Sequence, residues 1–196
     1  MSHKITANGF TNEALGWKAW LDVLDLDKAT DEQIEVLEVS HPQAKKMDYY
    51  LLLAHQPAIL HHRSTTYNAI MYAPGGLDRA ERELGALTVS QVNGCVYCAS
   101  VHAQRFVMAS KRADMVKPVF ENPATAPQTA KDKAVIELSI ALTENPGDLD
   151  PKYIQALKDA GLNEIEILDL IHSVSIFGWA NRLMLNLGEA LFPKDV

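Results

Sequence analysis

Four residues of this chain have types and spacing suited to chemistry. They are Cys95 and Cys98, three apart; His102, four residues further on; and Glu83, twelve residues before the pair. At about 100° per residue on a helix, Cys95, Cys98 and His102 point within roughly 60° of one another. The four-residue step from Cys98 to His102 brings thiol and imidazole to one face. A neutral imidazole can accept the thiol proton and later return it to a leaving oxygen. Glu83 belongs to the preceding segment, and a helical hairpin could fold its carboxylate back toward His102 to orient the ring and hold the transferred proton. Nucleophile, base and orienter then form a relay of the general kind seen in hydrolytic triads.

The elements around these residues must position them. Asn93-Gly94 ends one helix, Cys95 falls near the N-cap of the next, and Cys98 lies about three residues in. Unpaired N–H groups and the positive end of the helix dipole stabilise a thiolate there, so Cys98 is expected to have the lowered pKa and to be the more reactive thiol. Cys-x-x-Cys is also the spacing of half a zinc site, but such a site needs two further ligands. With no second pair, and His102 the only nearby histidine downstream, no metal is expected. Taken alone, each cysteine also reads as a small core residue and Glu83 as a solvated surface carboxylate. Their mutual spacing is what favours chemistry.

The punctuation elsewhere is that of an all-α chain. Thr30 with Gln33, and Asp78 with Glu81, have capping-box spacing, and each predicts a helix start. Asp150-Pro151, Gly161 and Asn163 with Glu166 predict helix, turn, helix across 150–187. Breaks fall at Gln56-Pro57, Pro74-Gly75-Gly76, Asn93-Gly94, Asn122-Pro123 to Pro127, and Asn145-Pro146-Gly147. The Leu84 to Val92 stretch could alternate as a strand, but the cap at Asp78 starts it as a helix. Beyond Leu170 the last helix is apolar on nearly every side, which predicts burial within the fold or between subunits. Residues 1–45 are more polar and read as an N-terminal helical extension, with short helices around Thr11 to Val23 and Thr30 to Val39. Residues 46–196 read as the main domain.

Composition narrows the partners. The 196 residues are 47% hydrophobic and 22% charged, with net charge −7. That balance predicts no nucleic-acid partner and no membrane surface. No apolar run reaches the roughly 18 residues of a spanning helix, and Met1 to Phe10 lacks a secretory pattern, so a cytoplasmic location is expected. In a reducing compartment, two cysteines at this spacing read as chemistry rather than as a structural staple.

At these residues the sequence resembles a known family. Glu83, eleven intervening residues, Cys95-x-x-Cys98 and three residues to His102 match the Glu, Cys, Cys, His signature of the AhpD-like alkylhydroperoxidases, grouped with the carboxymuconolactone decarboxylases. Tyr72-Ala-Pro-Gly-Gly-Leu-Asp-Arg-Ala-Glu-Arg-Glu and Phe177-Gly-Trp-Ala-Asn-Arg-Leu183 look like the peroxidase-related branch, and the resemblance spans roughly residues 45–190. It implies an AhpD-like multihelical bundle in a symmetric homo-oligomer (dimer, trimer or hexamer) that uses no cofactor. It also implies that Cys98 is the peroxidatic thiolate attacking a hydroperoxide, Cys95 resolves the sulfenic acid as a disulfide, and Glu83 and His102 relay the proton. An external dithiol or redox protein then reduces the disulfide. One departure is visible: the best-known members carry histidine next to the second cysteine, where this chain has Tyr97, which changes the local electrostatics. The alternative within the same fold is a non-redox acid–base enzyme or a small-molecule binding protein.

The remaining candidates are structural readings. His55, His61, His62 and His172 are expected to be ordinary hydrogen-bonded histidines, and His61 and His62 diverge on a helix. Asn181 and Arg182, beside Trp179 in an apolar helix, need polar partners, whether across a subunit interface, near the thiols or in plain structural bonding. Met71, Met108 and Met184 read as core packing.

Overall fold

Local capping chemistry sets most helix starts. A computed structural model of the chain describes residues 4–193. In it the helices are α1 (Asp31–Ser40), α2 (Asp48–Leu53), α3 (Pro57–Tyr72), α4 (Arg79–Val92), α5 (Val96–Ser110), α6 (Val116–Glu121), α7 (Ala130–Glu144), α8 (Lys152–Asp159) and α9 (Glu164–Leu187). Thr30 and Asn163 close the capping boxes their spacing predicts, and Thr129 with Asp132 closes a third. Asp78 is the N-cap of α4, but its side chain makes no cap bond. Glu81, which a capping box would turn back toward the N-cap, faces Lys131 at 3.5 Å instead.

The centre of the fold is α4, which packs against α5, α7 and α9. Every residue from Arg82 to Ser90 is buried, which is why Leu84 to Val92 carries no clear amphipathic period and reads ambiguously in sequence. Its buried hydroxyls bond back along the helix, Thr88 to the Leu84 carbonyl at 2.8 Å and Ser90 to the Ala86 carbonyl at 2.7 Å. The turn into α4 is held by one buried guanidinium. Arg82 donates to the carbonyls of Ile70 (2.7 Å) and Gly75 (2.6 Å) and to the Asp169 carboxylate of α9 (3.0 Å). Gly76 sits in that turn with φ +63°, and a Cβ there would lie 1.9 Å from Asp169 Oδ2. Glycine is therefore required for this close approach.

Two sequence expectations are corrected. The stretch from Thr11 to Val23 is not a helix. Phe10–Thr11 (β2) pairs with Thr6–Ala7 (β1), and Gly16–Ala19 (β3) pairs antiparallel with Gly188–Leu191 (β4). The β3/β4 pairing depends on a partner at the far end of the chain. The Trp17 ring occupies the space a Gly188 side chain would need, and Trp17 Nε1 donates to the Met184 carbonyl at 3.1 Å. Met108 is 71% exposed rather than core. In α9, Leu170, Val174, Phe177 and Met184 are buried within the fold, and Ile165, Leu168 and Trp179 are exposed on the single chain. Among the described residues no helix is long and apolar enough to cross a membrane.

Two apolar clusters result. The larger surrounds α4, and the smaller joins Leu24, Val36, Leu37, Tyr49, Tyr50 and Leu60 to both cysteines and Met184. Residues near the N-terminus thus form part of the wall around the thiols.

Candidate active site

Gly94, with φ +72°, turns the chain out of α4. Cys95 then becomes the N-cap of α5, its N–H donating to the Ser90 carbonyl at 2.8 Å, and Cys98 enters the first turn. The tight α4/α5 hairpin brings Glu83 beside His102, as the sequence spacing requires. Glu83 is fully buried, and its two oxygens have separate partners. Oε1 accepts from Arg79 Nε at 2.7 Å and from Arg79 Nη2, while Oε2 lies 2.6 Å from His102 Nδ1. A carboxylate only accepts, so Nδ1 carries the proton and Nε2 is left as the basic nitrogen. The imidazole edge packs on Phe177 with ring centroids 4.0 Å apart, which fixes its plane. Arg79 is held in turn by the Met71 carbonyl at 2.7 Å and by the Tyr72 ring at 4.0 Å.

Both cysteines are free thiols and buried. They hydrogen-bond to one another and to Asn181. Asn181 accounts for the polar position flagged in α9: it accepts from Asn93 Nδ2 at 3.1 Å and donates to Ser90 Oγ at 3.2 Å. Its neighbour Arg182 instead bonds the Gly178 carbonyl, exposed. The titration order of the thiols reverses the one inferred from helix position. The Cys98 thiol lowers the Cys95 pKa by donating to it, whereas Cys95 and burial together push Cys98 well up. The dipole argument is local, and burial with a shared proton outweighs it.

Access distinguishes the two thiols. Cys98 lines a cavity of about 120 Å³, room for several waters at about 10–15 Å³ each. Cys95, 2% exposed, packs behind it in the smaller cluster. His102 lines the same cavity, together with Tyr49, Tyr50, Tyr67, Tyr97 and Phe177. Tyr97 therefore faces the thiol region, its phenol pushed by burial to about 12 and so protonated. Arg63, Arg105 and His41 also reach the cavity and carry no motif that would single them out. Arg79 was legible as the residue one turn before Glu83. The other histidines lie apart: His61 and His62 are exposed, and His55 pairs with the Asp22 carbonyl at 3.1 Å. Among the described residues, no cluster of three or more His, Cys, Asp or Glu side chains could hold a metal.

The relay has a pH signature. Burial lowers the His102 pKa below 6.5 despite the opposing pull of Glu83. Burial works against ionisation of Glu83, but His102, Arg79 and Arg105 outweigh it and bring its pKa below 4.5. Arg79 and Arg105 are charged at every relevant pH, so Glu83 stays ionised while His102 is neutral. Both groups bind protons less readily folded than unfolded, so stability is full above about 6.5 and falls as pH drops through the folded pKa of His102, then of Glu83. Thermal midpoints are expected to decline from about pH 7 to pH 5, with a shallower decline in His102→Gln. A flat wild-type profile would contradict this electrostatic description.

The model of the Carboxymuconolactone decarboxylase family matches residues 57–139, a segment that holds Glu83, Cys95, Cys98 and His102. No curated protein matches the chain. Among solved structures, the AhpD-core, peroxidase-related protein from Ralstonia eutropha JMP134 has a TM-score of 0.75 at 24% identity, over 90% of this chain and 93% of that one. A peroxidase-related protein from Silicibacter sp. TM1040 has a TM-score of 0.73 at 22% identity, over 87% and 92%. The debrominase Bmp8 has a TM-score of 0.67 at 17% identity, over 84% and 88%. At such identities these likenesses show a shared fold. Residues 57–139 thus match the carboxymuconolactone decarboxylase family model, and the chain has an AhpD-like all-α fold.

Proposed function

We propose that the chain is a thiol-dependent oxidoreductase that reduces organic hydroperoxides. The observation that carries this reading is that Cys98 lines the same ring-walled cavity as His102, with Cys95 hydrogen-bonded behind it. Because the hydrogen bond to Cys95 and burial hold the proton on Cys98, a base must take it, and His102 Nε2, backed by Glu83 and lining the same cavity, is the base in this reading.

In the proposed cycle the Cys98 thiolate attacks the outer oxygen of the hydroperoxide and the O–O bond breaks. Cys98 becomes a sulfenic acid, and the alkoxide leaves with the proton that His102 held, as an alcohol. Cys95 sulfur then attacks the Cys98 sulfur. A disulfide forms, and the hydroxyl leaves as water with the Cys95 proton. An external dithiol, itself oxidised to a disulfide, restores both thiols.

The family resemblance and the peroxidase-related fold neighbours support this reading. The test is turnover: cumene hydroperoxide should be consumed stoichiometrically in the absence of dithiol and catalytically with it. Activity on a small organic substrate that survives Cys95→Ser and Cys98→Ser but disappears with Glu83 or His102 would establish the non-redox alternative instead.

A further inference from the structure

We propose that the cavity at Cys98 selects substrates bearing a carboxylate, held by Arg63 with Tyr49, and that its organic hydroperoxides are therefore those of acids. This inference rests on the thiol reading above and names its substrate class.

Arg63, from α3, reaches the cavity wall beneath three phenol rings, its guanidinium carbon 4.7 Å from the Tyr67 ring centroid, 5.6 Å from Tyr50 and 5.8 Å from Tyr49. Its Nε and Nη1 and the Tyr49 hydroxyl are buried and make no hydrogen bond of good geometry, although Arg63 lies close enough to Tyr49 and Tyr50 to interact with both phenols. All three donors belong to residues lining the one cavity that contains Cys98. Orphaned buried donors are uncommon, and each costs folding free energy comparable to a desolvated polar group, so three together require an explanation. By contrast, the second guanidinium at the cavity is already engaged, with Arg105 Nη1 donating to Tyr67 Oη at 2.6 Å. The Arg82 and Arg112 guanidiniums have carboxylate partners, although Arg82 Nε is itself buried without one.

The charge balance identifies the missing partner. No aspartate or glutamate lines the cavity, and among the described residues Arg63 and Arg105 form no ion pair with one. Glu83, behind His102, is already taken by Arg79 and the imidazole. The cavity therefore carries the positive charge of Arg63, with no carboxylate partner, beside the Cys98 thiol. A carboxylate answers both the charge and the geometry, because a guanidinium presents parallel N–H groups to two oxygens and a phenol adds a third donor. The rest of such a ligand would lie on the tyrosine and Phe177 rings, whose apolar faces make up much of the wall.

The decisive comparison is calorimetric binding of para-isopropylbenzoate and para-isopropylbenzamide to the reduced full chain. The acid is expected to bind more tightly by at least about tenfold, the factor a charge-assisted hydrogen bond supplies. Arg63→Gln should erase the preference, Tyr49→Phe should reduce it, and Arg63→Lys should keep part of it if the glutamine variant does not fold. Equal binding of acid and amide, or a preference that survives in Arg63→Gln, would overturn the proposal. A second arm follows the rate of thiol loss with cumene hydroperoxide and its para-carboxylate. Faster oxidation by the carboxylate, abolished in Arg63→Gln, supports the site. Equal oxidation by both, unchanged in that variant, removes the anion site and leaves the thiol chemistry standing. Acid-selective binding with no thiol oxidation keeps the site and removes the peroxidase reading.

Discussion

Replacing Cys98 by serine is expected to abolish hydroperoxide consumption, by roughly a thousandfold or more, the order of loss that follows removal of a nucleophile. Serine keeps the size and the hydrogen bonds to Cys95 and Asn181, so the fold should remain and the loss should be chemical. Cys95→Ser is expected to behave differently. Its Cys98 should still react once with hydroperoxide, but the sulfenic acid would have no neighbouring thiol to close on, and dithiol-driven turnover should fall sharply. The contrast follows from access, because Cys98 lines the cavity and Cys95 lies behind it. Steady-state consumption with dithiol, beside a single-turnover measurement without it, separates the two losses.

Glu83→Leu should be the most damaging substitution for stability and activity together. The carboxylate is fully buried between Arg79 and His102, and removing one partner of such a pair costs about 3–5 kcal/mol because the remaining charge is stranded. The guanidinium of Arg79, still held by the Met71 carbonyl, would lose its counter-charge. Glu83→Gln preserves shape and separates the effects. It should fold better than the leucine variant yet lose activity by about 10²–10⁴-fold, the usual contribution of a positioned acid–base system. Denaturant midpoints and hydroperoxide turnover on both variants test this. A glutamine variant with full activity would remove Glu83 from the relay.

The spacing of the candidate site was legible because it is local. Glu83, Gly94, Cys95, Cys98 and His102 all lie within one hairpin, α4 to α5, and helical geometry alone brings them together. The caps at Thr30 and Asn163 were legible for the same reason. What sequence reasoning missed comes from contacts between distant segments. Trp17 and Gly188 make a strand pair out of an apparently helical stretch. The cavity wall takes Tyr49 from α2, Arg63 from α3, Tyr97 from α5 and Phe177 from α9, and no single segment shows that they meet. Arg63, next to His61 and His62 on a largely exposed helix, reads as a solvated residue until the rings above it are in place. The thiol titration order was misread because the helix terminus is visible in sequence, whereas burial and the Cys95–Cys98 hydrogen bond are not.

That titration order sharpens the central claim, that Cys98 attacks although Cys95 has the lowered pKa. The most direct measurement treats each single-cysteine variant with one equivalent of hydroperoxide in the presence of a sulfenic-acid trap, then locates the adduct by peptide mass. Cys95→Ser should carry the adduct on Cys98, and Cys98→Ser should carry none. An adduct on Cys95 in the Cys98→Ser variant, with Cys98 unmodified in Cys95→Ser, would contradict the account.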